Sequence, residues 1–206
     1  VYKDIIYSLV AIKEGNINKM KLVTIDTENK KIHNVKSLYA VGESEFSSQR
    51  NWNPMIYNDE LYFSTRLHRH KIMKYEGENV LYETINDQLA IQSKYKKVHG
   101  GTRAILYKGN YIAVGHYKYE SEYYTSFFYT FEDRPPFKIL KITKEFLLPL
   151  PKEYEKMSNR VQMITGLEEY DSTSVYLTMG LMDSAMCAYK IRYKVIEELL
   201  NNNCEV

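Results

Sequence analysis

Cysteine and tryptophan are scarce in this chain: Cys187, Cys204 and the single Trp52. Two cysteines make neither a disulfide framework nor a zinc motif, and no metal site is expected. Cys187 sits in an apolar segment and reads as a small core residue, whereas Cys204 falls in a polar tail. A reducing, cytoplasmic setting is the compartment these thiols favour. No apolar run reaches the 18 residues of a membrane-spanning helix, so no membrane span is expected. The stretch 5–12 is too short for one, lacks the basic flank and cleavage site of a signal peptide, and reads as a strand. Charge of one sign is missing too: 28 Lys and Arg against 26 Asp and Glu leave a net +2. That gives no global field to attract nucleic acid, and none is expected as a partner. The basic runs at 66–71 and 94–97 read as solvated edges, the second being the weak nucleic-acid alternative. Gly-rich phosphate loops, His-Glu-x-x-His helices and Gly-x-Ser-x-Gly elbows are all absent, and no organic cofactor is implied. The acid pairs Glu132-Asp133 and Glu168-Glu169 read as solvated loop residues.

What is present is aromatic and β-branched. Of 206 residues, 44% are hydrophobic and 20 are tyrosine, enough to close a core. Short apolar runs broken by Asn, Asp and Gly predict an all-β protein. A repeat runs through segments 54–64, 103–116 and 163–180: a strand, a tyrosine, a polar turn and a second strand. The turns are Asn58-Asp59, Lys108-Gly109-Asn110 and Asp171-Ser172, residues that tolerate tight-turn backbone angles. The first 26 residues form a weaker fourth copy. Tyr57, Tyr107 and Tyr170 recur at spacings of 50 and 63 residues. That period suits the blades of a β-propeller, with a β-sandwich as the alternative. About four blades over 1–191 are followed by a short helix and polar tail over 192–206. Segment 194–200 supplies the helix and Asn201-Asn202-Asn203 its stop.

Residues at blade starts carry most of the functional signal. Arg50-Asn51-Trp52-Asn53-Pro54 opens one repeat and His99-Gly100-Gly101-Thr102-Arg103 the next. The paired glycines predict either backbone angles closed to other residues or the close approach of a ligand. Gly115-His116 and Gly180-Leu181-Met182-Asp183 hold matching places in two repeats. Inner strands of a propeller line its channel, so polar groups there converge from several blades. The competing reading makes Trp52 and the glycines packing devices, with His116 and Asp183 satisfying turn backbone.

At these residues the chain resembles the five-bladed propellers of glycoside hydrolase family 130, the β-mannoside phosphorylases and hydrolases, particularly their divergent viral and eukaryotic members. Arg69-His70-Lys71-Ile72, Tyr124, the segment 131–137 and Gly166-Leu167 extend the match. The resemblance implies a carbohydrate partner bound in the central depression by Arg50, Asn51, Trp52, His70, Gly100, Gly101, Thr102, His116 and Asp183. It also implies inverting chemistry on mannosides, or glycosyl transfer, in which an Asp acts as general acid and water or inorganic phosphate as nucleophile. A phosphate co-substrate needs cations, for which Arg50, Arg66, His70 and His116 are the candidates. The family's acid lies upstream of the strand that Val1 begins, and Asp4 does not stand in its context, so the catalytic residue is unknown. The expectation is either an N-terminally shortened piece, associating with its missing part or forming a homo-oligomer, or a propeller that has lost the acid. A non-catalytic glycan- or protein-binding propeller, such as a viral structural or surface component, is therefore the alternative.

Overall fold

The computed structural model describes residues 5–40, 49–67, 70–76, 79–86, 96–120, 123–156 and 161–202. Arg69, Lys94, Tyr95, Asp4 and Cys204 lie outside them. Strands β1 (Ile6–Glu14), β2 (Ile17–Asp26) and β3 (Lys31–Leu38) make the first sheet. The second holds β4 (Asn53–Tyr57), β5 (Glu60–Arg66), β6 (His70–Glu76) and β7 (Asn79–Asn86). The third is built from β8 (Lys96–Gly100), β9 (Ile105–Tyr107), β10 (Asn110–Tyr119), β11 (Tyr124–Glu132) and β12 (Ile139–Ile142). Strands β13 (Gln162–Asp171), β14 (Ser174–Leu181) and β15 (Ala185–Arg192) form the fourth, and helix α1 (Tyr193–Asn201) ends the described chain. Strand order follows chain order and each pairing is antiparallel, as in propeller blades.

Turn chemistry explains the hairpins. Asn58 and Asp59 both take positive φ, and so do Lys108 and Gly109, which is what two-residue turns between twisted strands require. The third hairpin works differently. Asp171 Oδ1 accepts from the Thr173 amide at 2.8 Å, Thr173 Oγ1 at 2.7 Å and Ser174 Oγ at 2.7 Å. Tyr57 and Tyr107 are the last residues of their strands. Tyr170 stands one place earlier, because the β13–β14 register shifts between Glu169 and Asp171. Glu168 and Glu169 belong to β13 and not to a loop, and Glu168 is ion-paired with Arg103.

Three apolar seams separate the four sheets. Met20, Leu22, Leu38, Trp52, Phe63 and Met73 fill the first. The second is aromatic, with Tyr62, Tyr111, Phe127, Tyr129, Phe131 and Phe137. In the third, Val114, Phe128, Ile164, Leu177 and Met179 meet Tyr193, Ile196 and Leu200 of α1. Those helical positions share one face at i, i+3 and i+7. Strand β10 is buried on both faces, giving Ile112 and Val114 to the third seam and Tyr111, Ala113 and Tyr117 to the second. This two-sided burial is why its sequence is a nearly unbroken apolar run. The helix also clasps two blades together. Tyr193 stacks on Tyr107 with centroids 3.9 Å apart, and Tyr107 Oη donates to Glu197 at 2.9 Å.

Candidate functional site

Strands β8 and β9 lie end to end along one edge of β10 and are interrupted at 101–104. Thr102 keeps that edge attached: its amide donates to the Val114 carbonyl at 3.2 Å, and its Oγ1 accepts from the Val114 amide at 3.0 Å. The interruption is where three sheets meet. Ala104 N–H donates to the Pro54 carbonyl of the second sheet at 3.1 Å, and Arg103 Nε to the Leu167 carbonyl of the fourth at 3.2 Å. Arg103 is thus an inter-blade clamp.

The glycines before it serve the same junction. A Cβ on Gly100 would lie 2.1 Å from Asn53 Nδ2, and one on Gly101 would lie 2.7 Å from the Ile164 carbonyl oxygen and 3.0 Å from that of Val114. Neither takes a positive φ. The close approach is therefore by the protein's own groups, Asn53 and Ile164 from neighbouring sheets and Val114 from the same one, and not a demand of backbone angle.

Immediately before this junction, β8 and β10 place two histidines side by side. His99 and His116 are register partners, and their ring centroids lie 5.4 Å apart. On its other side His116 stacks on Tyr124 at 5.6 Å. His116 is 2% exposed. His99 Nε2 and His116 Nδ1 are buried, and among the described residues neither has a hydrogen-bond partner. Burial lowers the His99 pKa to about 4, helped by the positive charges of Arg50, Lys97 and Lys118. Burial lowers that of His116 to about 3, with His99 and Arg50 adding to the effect and the nearby Gly100 backbone opposing it. Both rings are neutral at pH 7, so each carries one donor and one acceptor nitrogen. Among the described residues the charges acting on this pair are all positive.

The other expected site residues are spread out. Arg50 is exposed beside the histidines, and Asn51 follows it at φ 59°. Trp52 is 4% exposed in the first seam, 5.9 Å from Phe63, with Nε1 donating to Gln49 Oε1 at 3.3 Å. Its ring takes the packing role. His70 is 1% exposed in the second seam, 5.0 Å from Phe131, with Nδ1 3.0 Å from the Phe137 carbonyl oxygen. Burial lowers its pKa to about 4. Arg66 ends β5 opposite Lys71. Asp183 lies exposed at φ 52° in the β14–β15 turn, where Met182 N–H donates to the Val161 carbonyl at 3.0 Å. Gly115 and Gly180 do match as second-strand positions, but the residue matching His116 is then Leu181, two places before Asp183. The structure thus brings together Arg50, Gly100, Gly101, Thr102 and His116, and leaves Trp52, His70, Arg66 and Asp183 apart from them. Sequence reasoning placed His99 in a motif without giving it a role, because its partnership with His116 is cross-strand.

No protein-family model matches the sequence, and no curated protein matches it either. Solved structures do match. A β-1,2-mannobiose phosphorylase from Listeria innocua superposes at TM-score 0.73 with 16% identity, over 98% of this chain and 59% of that one. The fold is shared. A glycosyl hydrolase from Bacteroides ovatus gives 0.70 with 12% identity, covering 94% of this chain and 63% of that one. A mannose phosphorylase from Leishmania mexicana, solved with a phosphate ion, gives 0.55 with 14% identity over 93% and 65%. This chain spans about three-fifths of the length of each of them. At such identities the likeness establishes the propeller fold and leaves the activity to be argued from the site.

Proposed function

We propose that the protein is glycan-directed and that His99, His116, Tyr124 and Arg50 form its sugar-binding surface. The observation that carries this reading is the pair of buried, unpartnered imidazole nitrogens, His99 Nε2 and His116 Nδ1, on neighbouring strands. A buried polar atom without a partner costs about 1–3 kcal/mol, which a ligand hydroxyl recovers on binding. Sugar hydroxyls both donate and accept, so they suit neutral imidazoles, and Tyr124, stacked on His116, adds aromatic surface beside them.

The shared fold of two phosphorylases favours a mannoside as the sugar and inorganic phosphate as co-substrate. Arg50 and Lys97 supply cations for an oxyanion beside the histidines. In that reaction the phosphate attacks the anomeric carbon, the glycosidic C–O bond breaks, and the departing oxygen takes a proton from an acid. None of the groups gathered here is a carboxylate. They bind and orient, and that observation favours a second reading, glycan binding without turnover.

The test is calorimetric titration with β-linked mannobioses, followed by assay of mannose and mannose 1-phosphate release with and without phosphate. A β-mannoside is expected to bind, with affinity falling at least ~10-fold in His99→Ala and in Tyr124→Ala while the thermal melt stays cooperative. Phosphate-dependent turnover would establish the phosphorylase reading, and binding without turnover the second. Absence of binding to any mannoside would overturn both.

A further inference from the structure

A second concavity lies far along the chain from the histidines, in the seam between the first and second sheets. The inner face of the first sheet is read from its register. Ala11, Met20 and Leu38 form one row, Leu9, Leu22 and Lys36 the next, and Tyr7, Thr24 and Asn34 the third. Met20 and Leu38 are packed into the seam at 3% exposure. At the third row an open cleft of about 680 Å³ lies between that face and Tyr75 of β6. A cleft of this size falls within the range that holds small molecules, roughly 300–1,000 Å³.

Its lining is of two kinds. Leu22, Tyr7 and Tyr75 make an apolar floor, and Ile5, Ile6 and Ile25 an apolar lip. Thr24, Asn34 and Lys36 then stand where continued seam packing calls for apolar side chains. A local rule broken in this way points to function more often than to error. Thr24 Oγ1 is buried and has no hydrogen-bond partner among the described residues. Charge at the rim is asymmetric. Asp26 is already engaged, with Oδ1 accepting from the Asn29 amide at 2.9 Å and Oδ2 from Asn29 Nδ2 at 2.8 Å. Lys36 makes no ion pair among the described residues. The floor therefore takes an apolar body, and the uncommitted cation beside it takes an anionic head.

We infer that this cleft is a binding site for a small amphiphilic carboxylate, its chain or ring on Leu22, Tyr7 and Tyr75 and its carboxylate at Lys36, with Thr24 Oγ1 donating to it. The site is independent of the glycan reading and stands if that reading fails.

Titration calorimetry with decanoate tests it, with methyl decanoate as the uncharged comparison. Decanoate is expected to bind saturably, one molecule per chain, and methyl decanoate at least ~10-fold more weakly. Lys36→Glu, an exposed position that spares the fold, should weaken decanoate at least ~10-fold and leave methyl decanoate unchanged. Thr24→Trp, which fills the cleft, should abolish binding of both, with circular dichroism confirming that the sheets remain. Non-saturable uptake, or decanoate affinity unaltered in Lys36→Glu and Thr24→Trp alike, would overturn the inference.

Discussion

Between pH 6.5 and pH 4 the protein is expected to lose several kcal/mol of stability, and His70 is expected to account for about 3 kcal/mol of that loss. An unfolded histidine titrates near 6.5, whereas burial holds His70 at about 4 in the fold. The folded state thus binds fewer protons than the unfolded chain throughout this window, and stability rises with pH across it. The stabilising contribution is whole above the unfolded value and is lost as pH falls towards the folded one. Each pK unit is worth about 1.4 kcal/mol, so His70 contributes on the order of 3 kcal/mol. His99 and His116 are lowered as well and act with the same sign. His99 is the more exposed of the two and contributes less.

The cause at His70 is visible in its surroundings. The ring lies among Tyr129, Phe131 and Phe137, and its one protein bond, Nδ1 to the Phe137 carbonyl, is too little to support a charge there. Against a typical total stability of ~5–15 kcal/mol, the loss is large enough to bring the protein close to unfolding near pH 4. Thermal melts at steps from pH 7.5 to pH 4 measure it. His70→Gln, which removes the titration, should show a distinctly flatter dependence than the parent, by roughly 6–12 °C over the range. Parallel curves for the two proteins would refute the assignment to His70.

Much of this architecture is legible in the sequence, and the parts that are not share a cause. Asn58-Asp59 and Lys108-Gly109 announce their hairpins because positive φ restricts which residues can stand there. The Tyr57 and Tyr107 period shows the blades because each copy ends its strand at the same tyrosine. Helix α1 is legible from the amphipathic run 194–200 and its asparagine stop, and Ile196 and Leu200 of that run are buried. Pairing across strands is not a local property, and it is there that reading fails. His99 gains its partner only when β8 is laid against β10, and Tyr170 slips out of step through a register shift. Trp52 and His70 looked like ligands because both are chemically conspicuous, yet seam packing has the larger claim on an aromatic ring. Gly100 and Gly101 suggest special backbone angles or an approaching ligand when read in sequence, whereas the groups that crowd them are Asn53 and two carbonyls brought in from distant segments.

That junction gives the second large effect. Gly100→Ala should destabilise the protein by about 3–5 kcal/mol, and most of the loss should depend on Asn53. The new methyl would sit 2.1 Å from Asn53 Nδ2, so the amide must swing away. Asn53 is 2% exposed and Tyr129 is fully buried, and Nδ2 donates to Tyr129 Oη at 3.3 Å. Displacing the amide therefore adds the cost of buried groups left without partners, ~1–3 kcal/mol, to an overpacking cost of ~1–3 kcal/mol. Asn53→Ala alone forfeits the same hydrogen bond but opens the space the methyl needs. In urea denaturation the double variant should then be more stable than the sum of the single losses predicts, with a coupling of at least ~1.5 kcal/mol. Gly101→Ala is the contrasting case. Its methyl meets the backbone carbonyls of Ile164 at 2.7 Å and Val114 at 3.0 Å, which no side-chain deletion relieves. Asn53→Ala should leave the Gly101→Ala loss unchanged. Equal coupling of Asn53 to both glycines, or to neither, would mean that the three sheets do not meet at this point in the way described.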